Sequence, residues 1–544
     1  MVRIQQRVYW CRSCGFLLHI PLCLLVKVTF LPFATSFIPG LQISNTRYKQ
    51  TCQDISTLQA IQEKRTGLEV TINNGQSSKI IDEERKGSGF YIHIPYCRKR
   101  CRYCDFPIVP IGTRNQDGNK GFQDMDKAYC DALLDEIDFY HAFSEKKKKL
   151  STIYFGGGTP SLAPITTIRS VVEHLCHRFE VPLQSISDDE ENTIEITMEM
   201  DPGTFTKKQL EQYKHLGINR ISLGVQALND TVLEQIGRVH RVKDVYQAVD
   251  ILKSVFRDKL NYSIDLISGL PGITLAEWSE TLERVVRDLK PTHLSIYDLQ
   301  IEEGTVFGRW YANGDDDSMG EKSPYINKTA VASLPSPEEC AYMYCYASGY
   351  LTKKGYQHYE ISSYSQSDKR SRHNQIYWGY QPEWYAIGLG ATSSYPRSHR
   401  FTRPRIMSDY LAWVKQQKRL QLKPHHEDSK KQPPWLCAMN ITDSTVDDED
   451  EREADKDQLS DIIMTRLRTS DGLNLNWLEE NYSKEIFESV LRGAQLGVDL
   501  GLVQIEIGNE NNTTRTRVLR LVDPQGFLFS NTIISSIFVE LSNL

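Results

Sequence analysis

Two hydrophobic periods alternate along the chain. Short strand-like apolar runs recur at 90–95, 152–155, 194–200, 221–225, 262–267 and 293–299. Between them, apolar residues return at helical spacing over 126–143, 165–179, 207–216, 229–236, 242–256 and 275–289. Strands alternating with helices imply parallel βα units. Six units predict a partial (β/α)6 barrel of TIM type rather than a closed eight-unit one. Helix starts are marked by Thr206 before Lys207, and by Thr274 with Glu277 at the capping-box position.

Other stretches break the pattern. The run Glu145-Lys-Lys-Lys-Lys149, the acidic stretch 185–192 and the Gly/Asp/Ser/Pro-rich 313–334 read as solvated inserts. The segment 415–456 contains Pro433-Pro434 and the acidic run 447–453, with too little apolar surface to order itself, and reads as a linker. Beyond it, Leu459, Ile462, Ile463 and Leu467 fall at helical spacing. A turn at Asp471-Gly472, a helix over 486–500 and short strands at 502–507 and 517–521 then predict a small winged-helix-like α+β domain. The expected organisation is a leader at 1–85, a core at 86–330, an extension at 335–415, a linker at 416–456 and a C-terminal domain at 457–530.

The leader stands apart in composition. Arg3, Arg7 and Arg12 precede an apolar stretch from Phe16 to Phe37, which ends in Phe33-Ala-Thr-Ser-Phe-Ile-Pro39. This is the layout of a secretory-type signal. Its junction resembles the Ala-Ser-Ala-Phe-Ala-Pro of bipartite plastid presequences, and the Ser/Thr/Asn/Gln-rich 40–80 resembles a transit peptide. A plastid address is the expectation. A mitochondrial leader, an anchored N-terminus and a mis-assigned start are the alternatives.

Over the 544 residues, 40% hydrophobic and 25% charged content is that of a globular protein. A net charge of −6 argues against nucleic acid as the main partner. Past the leader no clean apolar stretch suggests a membrane span in the mature protein. The 12 cysteines show no disulfide-framework spacing, which fits a reducing compartment.

Chemistry concentrates after the first strand, in Cys97-Arg-Lys-Arg-Cys101-Arg-Tyr-Cys104-Asp-Phe106. Three close thiolates can hold three irons of a [4Fe–4S] cluster and leave one iron open to a small molecule. A zinc site or a chance spacing is the alternative. Parallel barrels place working residues at the C-terminal strand ends, and candidates stand at each end in turn. Gly156-Gly157-Gly158-Thr159 follows the second strand, Glu199 ends the third, Gln226 ends the fourth, Asp265 lies in the fifth and Tyr297 ends the sixth. Glycines admit a ligand close to the backbone. A carboxylate such as Glu199 can take ribose hydroxyls, and Gln226, Arg238 and Asp265 are polar groups for the barrel mouth.

These motifs resemble the radical S-adenosylmethionine (SAM) superfamily, and within it the branch of oxygen-independent coproporphyrinogen III oxidases and haem chaperones. The resemblance covers about 88–415 and 457–528, including Arg466-Leu-Arg-Thr-Ser-Asp-Gly-Leu473. It implies that the open iron takes SAM, that Tyr91, Gly157, Gly158, Glu199, Gln226, Arg238 and Asp265 contact SAM, and that Tyr103 shields the cluster, while Gly156 and Thr159 join the candidate SAM site through the glycine edge they belong to. Oxidases of this branch read C-x3-C-x2-C-x-C, whereas Phe106 stands here in the last position. Its absence resembles the HemW-like haem chaperones, as does Arg372-His373-Asn374-Gln-Ile-Tyr377-Trp378, a motif linked there to haem binding. An imidazole ligates haem iron commonly, and Tyr and Trp pack a porphyrin face. From the residues alone, a loop histidine bonded to its neighbours is the alternative for His373. Ser371 departs from relatives that often carry Cys. The implied function is a haem chaperone holding a [4Fe–4S] cluster, SAM and haem, with haem-accepting proteins and a ferredoxin- or flavodoxin-like electron donor as partners. Coproporphyrinogen III decarboxylation and a non-catalytic iron–sulfur scaffold are the rival readings.

Overall fold

The computed structural model describes residues 88–112, 119–143, 150–181, 194–311, 332–380, 382–395, 399–421, 448–510 and 514–544. The leader, the lysine run and nearly all of the inserts at 185–192 and 313–334 lie outside the described residues.

Six strands run parallel, each paired with the next in chain order: β1 (Ser88–Ile94), β2 (Leu150–Gly157), β3 (Glu195–Met200), β4 (Arg220–Gln226), β5 (Tyr262–Ser268) and β6 (His293–Asp298). The crossovers carry α1 (Lys120–Phe143), α2 (Ile165–Arg178), α3 (Lys207–His215), α4 (Asp230–Gln235), α5 (Val242–Phe256) and α6 (Leu275–Arg284). A strictly sequential parallel order keeps every right-handed crossover on one face, which curls the sheet into a barrel wall instead of a doubly wound sheet. The expected six-unit architecture is the one found. Capping boxes at Thr206–Gln209 and Thr274–Glu277 start α3 and α6.

Residues after β6 extend this wall at both ends. Following α7 (Pro337–Lys353), the hairpin β7 (Gln357–Glu360) and β8 (Ser363–Ser365) adds antiparallel to β6. After the short helix α8 (Arg372–Tyr377), β9 (Trp384–Ile387) joins β1 in parallel, and β10 (Thr392–Tyr395) and β11 (His399–Thr402) complete an 11-stranded sheet. α9 (Met407–Gln421) follows. None of β7–β11 is among the expected strands, since each has only three or four residues.

The C-terminal region has its own apolar cluster, built from α10 (Asp448–Arg466), β12 (Leu473–Asn474), α11 (Leu475–Asn481), α12 (Lys484–Asp499), the hairpin β13 (Val503–Glu510)/β14 (Thr514–Leu521) and α13 (Ser530–Ser542). Two sequence expectations change here. α10 begins inside the segment read as a linker. α13 continues past the expected end of the domain, with Ile533, Ile534 and Ile537 in the cluster. No helix among the described residues is long and apolar enough to cross a membrane.

Candidate functional site: a polar barrel mouth over a closed floor

The cysteine loop is tied down along its length. Residues 96–97 pair in parallel with 109–110, with Val109 N donating to Pro95 O (2.8 Å) and Ile111 N to Cys97 O (2.8 Å). In its middle Arg102 N donates to Ile236 O, and Arg98 reaches Gly203 O at 2.9 Å. The extension supports it from outside, where Arg405 pairs with Asp105 and Gly390 packs against Pro107. A polar chain then links two of the thiols. Thr159 Oγ1 lies 3.7 Å from Cys97 Sγ and donates to Asp201 at 3.1 Å. Asp201 is paired with Arg238, whose guanidinium also reaches Gly224 O (2.7 Å) and Cys101 Sγ (3.6 Å). The sequence reading missed Asp201; its signal was the motif Glu199-Met-Asp201 at a strand end.

Cys97, Cys101 and Cys104 are free thiols, each partly exposed. Burial, with Asp201 adding to it, pushes the Cys97 thiol up to about 12, and burial pushes Cys104 up to about 11. Such thiols stay protonated until a metal displaces the proton. Among the described residues no three His, Cys, Asp or Glu side chains gather about the position of one metal ion. Thiolates that each bind a different iron of one cluster need no common point, so the three loop thiols fit a cluster.

Above the sheet, the inward-facing residues are the more exposed ones. Tyr91, Tyr154, Glu199, Gln226 and Asp265 are part-exposed while their strand neighbours are buried, and Tyr297 is 38% exposed. They share the inward-facing side of the strands. Glu199 accepts from Tyr154 Oη (2.9 Å) and Gly157 N (3.0 Å). Walled in by protein, with Asp265 nearby, its carboxyl is pushed up to about 7. Asp265 accepts from Ser222 Oγ (2.9 and 3.1 Å) and Ser263 Oγ (3.1 Å), and burial raises its pKa. Gln226 sits at φ +69° beside a register shift between β4 and β5, a backbone strain characteristic of functional positions. Tyr91 stacks on Tyr154 at 6.0 Å, and Tyr103 packs against the barrel core.

The glycine edge has a second reason besides ligand approach. Gly157 has φ +108° and a Cβ there would strike the His93 ring, while a Cβ on Gly158 would lie 2.7 Å from the Pro95 carbonyl carbon. Packing of the cysteine loop against β2 therefore demands these glycines by itself.

His373 lies elsewhere, at the opposite end of the barrel. It is 1% exposed; Nδ1 is 2.7 Å from Thr152 Oγ1, Nε2 is 2.8 Å from Tyr377 Oη, and its ring stacks on Tyr154 at 4.9 Å. The backbone N–H groups of Arg372 and His373 donate to Glu195 at 3.2 and 3.0 Å. α8 thus plugs the barrel floor, and Gly89 is needed because a Cβ there would come within 2.8 Å of Ile376 and 3.2 Å of the His373 ring. In this arrangement both imidazole nitrogens are engaged and neither is open to iron, unlike the ligand role expected from the motif. Tyr377 packs edge-on against Trp384 at 4.7 Å, and the Trp378 carbonyl accepts from Arg466 at 3.0 Å. Arg466 also holds Gly472 O, and Asp471 pairs with Arg370, so the 466–473 motif clasps the floor segment.

A sequential parallel barrel carrying three loop thiols after its first strand defines a radical SAM-type fold, and the radical SAM superfamily pattern matches residues 91–285. The chain is 35% identical over 463 residues to the heme chaperone HemW of Synechocystis sp., covering 83% of this chain and 96% of that protein. The chain belongs to the HemW heme chaperone family. It is also 31% identical to HemW of Escherichia coli (55% of this chain, 68% of that one) and 29% identical to the mitochondrial radical S-adenosyl methionine domain-containing protein 1 of Bos taurus (56% and 60%). Among solved structures, coproporphyrinogen III oxidase (HemN) of Escherichia coli shares the fold with TM-score 0.56 at 18% identity, over 88% of this chain and 98% of that one.

Proposed function

We propose that this chain binds haem and passes it to acceptor proteins, with a [4Fe–4S] cluster on Cys97, Cys101 and Cys104 and SAM at the strand ends. The observation that carries this reading is the similarity to a protein named heme chaperone over 96% of that protein's length. The cluster with SAM supplies one-electron chemistry when bound. In this reading the chain's own residues position and polarise. Arg238, anchored by Asp201, sets the charge beside Cys101; Glu199 accepts ribose hydroxyls; Tyr91, Gly156, Gly157, Gly158, Thr159, Gln226 and Asp265 line the remainder of the SAM site, and Tyr103 covers the cluster. Haem ligation by His373, with Tyr377 and Trp378 against the macrocycle, requires α8 to turn out of the floor. The electron donor is of the ferredoxin or flavodoxin class.

Phe106, 43% exposed where the oxidases carry a cysteine, supports the chaperone over the decarboxylase. The test pairs two assays on the reconstituted protein. Haem-loaded protein should pass haem to a haem-free acceptor, and coproporphyrinogen III with SAM and reductant should release no carbon dioxide. Protoporphyrinogen formation overturns the reading.

We also propose an organellar address. The relatives named mitochondrial support an organelle in general, and the junction Phe33 to Pro39 supports a plastid in particular. A fluorescent fusion of residues 1–87 distinguishes plastid from mitochondrion; a cytosolic signal rejects both.

A further inference from the structure

The cysteine loop carries charge of almost one sign. Between Cys97 and Phe106 stand four cations, Arg98, Lys99, Arg100 and Arg102, and one acid, Asp105, in a chain whose net charge is −6. Lys99 and Arg100 are exposed, and Arg98 is partly so. Among the described residues none of the four is in an ion pair. Arg98 donates to Gly203 O at 2.9 Å, and Arg100 to Cys104 O at 3.2 Å and Phe106 O at 2.9 Å. The acceptors are backbone carbonyls, so these bonds hold the guanidinium groups in place and leave their charge uncompensated.

The acids around the loop are largely matched. Asp105 pairs with Arg405, Glu234 with Arg241 and Asp201 with Arg238. Glu302 and Glu303 belong to the segment that packs on Arg102, where Phe307 N donates to Arg102 O (2.9 Å) and the Arg102 guanidinium lies over the Trp310 ring at 5.0 Å. The unmatched positive edge is therefore 98–100. Two apolar side chains are exposed near it. Phe106, whose carbonyl Arg100 holds, is 43% exposed, and Val239, next to the Arg238 that reaches Cys101 Sγ, is 40% exposed. A charge run alone marks only a solvated face. This one is fixed by hydrogen bonds, lies among three partly exposed thiols and borders apolar residues, the layout of an interface with an apolar centre and a charged rim.

We propose that the edge 98–100, with Phe106, is the docking surface of the electron donor, and that the donor is a small protein with an acidic face around its redox centre. This rests on the cluster reading above and deepens it. One electron leaves the donor, which is oxidised, and enters the cluster, which is reduced; no bond or proton moves. Opposite charges steer such an encounter, and salt screens it. The thiols are open on the same loop, so a donor seated there needs no path through the barrel.

The experiment uses the reconstituted full chain, with oxidised ferredoxin and oxidised flavodoxin as probes and the cationic cytochrome c as control. Wild type should bind at least one acidic probe, with affinity falling about tenfold from low to high salt, and should not bind cytochrome c. Lys99→Glu should weaken that binding about fivefold or more and flatten its salt dependence. Phe106→Ser should weaken it at every salt concentration. Iron content and reduction potential should be the same in Lys99→Glu as in wild type. Should Lys99→Glu lose iron, Lys99→Gln decides, with binding weakened about twofold. The proposal is overturned if neither acidic probe binds, if cytochrome c binds equally, or if the iron-loaded variant binds like wild type. A variant that shifts the potential and keeps its affinity assigns the cations to offsetting cluster charge, which also overturns it. Self-association of the chain that Lys99→Glu abolishes, with no probe bound, gives the edge to a second copy instead. A chain that takes up no iron rejects the cluster reading; binding of oxidised probes needs no electron transfer and still decides the surface.

Discussion

The Arg238 guanidinium lies 3.6 Å from the Cys101 sulfur and is held there by an ion pair with Asp201. Removing that cation exposes a cluster at Cys101 to the uncompensated Asp201 carboxylate, which stabilises the oxidised state. Arg238→Gln should lower the cluster's reduction potential by on the order of 100 mV, since a unit charge at this range is worth a few kcal/mol. A redox titration followed by electron paramagnetic resonance measures it; an unchanged or raised potential rejects the charge role.

If Glu199 takes the SAM ribose as proposed, SAM binding depends on pH. With its carboxyl pushed up to about 7 by burial, the group is mostly protonated at pH 6 and mostly ionised at pH 8. Ribose hydroxyls prefer the ionised form as acceptor, so SAM affinity should rise about tenfold over that range, and Glu199→Gln should flatten the profile. For the protein without SAM the sign reverses. A raised carboxyl pKa favours folding below its unfolded value near 4.5, and that contribution is lost as pH climbs through about 7.

The floor histidine behaves in the opposite sense. Burial holds His373 down at about 3, so it folds neutral while the unfolded chain takes up a proton below 6.5. Its contribution is complete above pH 6.5 and falls as pH drops, reaching a loss of about 2 kcal/mol at pH 5. Urea unfolding at pH 7 and pH 5 should show that difference shrinking in His373→Phe; an identical pH difference in the variant counts against the buried neutral imidazole.

If His373 ligates haem iron as proposed, Tyr377 competes for the same imidazole nitrogen. Tyr377→Phe frees Nε2 at the loss of one hydrogen bond of about 1 kcal/mol, so haem affinity should rise about fivefold. His373→Ala should remove the Soret shift altogether. If Tyr377→Phe binds haem no better and His373→Ala leaves the spectrum unchanged, iron is ligated elsewhere.

The strand-end residues were legible because a parallel strand buried on both faces reads as an apolar run, and its C-terminal end is where a barrel does its work. Glu199, Gln226, Asp265 and Tyr297 follow from that alone. The place of His373 was not legible: a six-residue helix has no amphipathic pattern long enough to say which end of the barrel it meets. The span of α10 was hidden by composition, its acidic first half resembling a linker until tertiary packing of Leu459, Ile462 and Ile463 holds the second half.

The pairing of Gly89 with Trp384 sets a timetable for the chain. β1 leaves the ribosome early, but the strand that covers its outer edge is made only after the whole barrel and most of the extension. Until then a nascent chain presents that edge of β1 and an unplugged floor, because α8 also arrives late. Cluster loading before synthesis reaches Ile387 would take place on an unfinished barrel, so the protein's need for a holding factor should be greatest in chains released between β6 and β9.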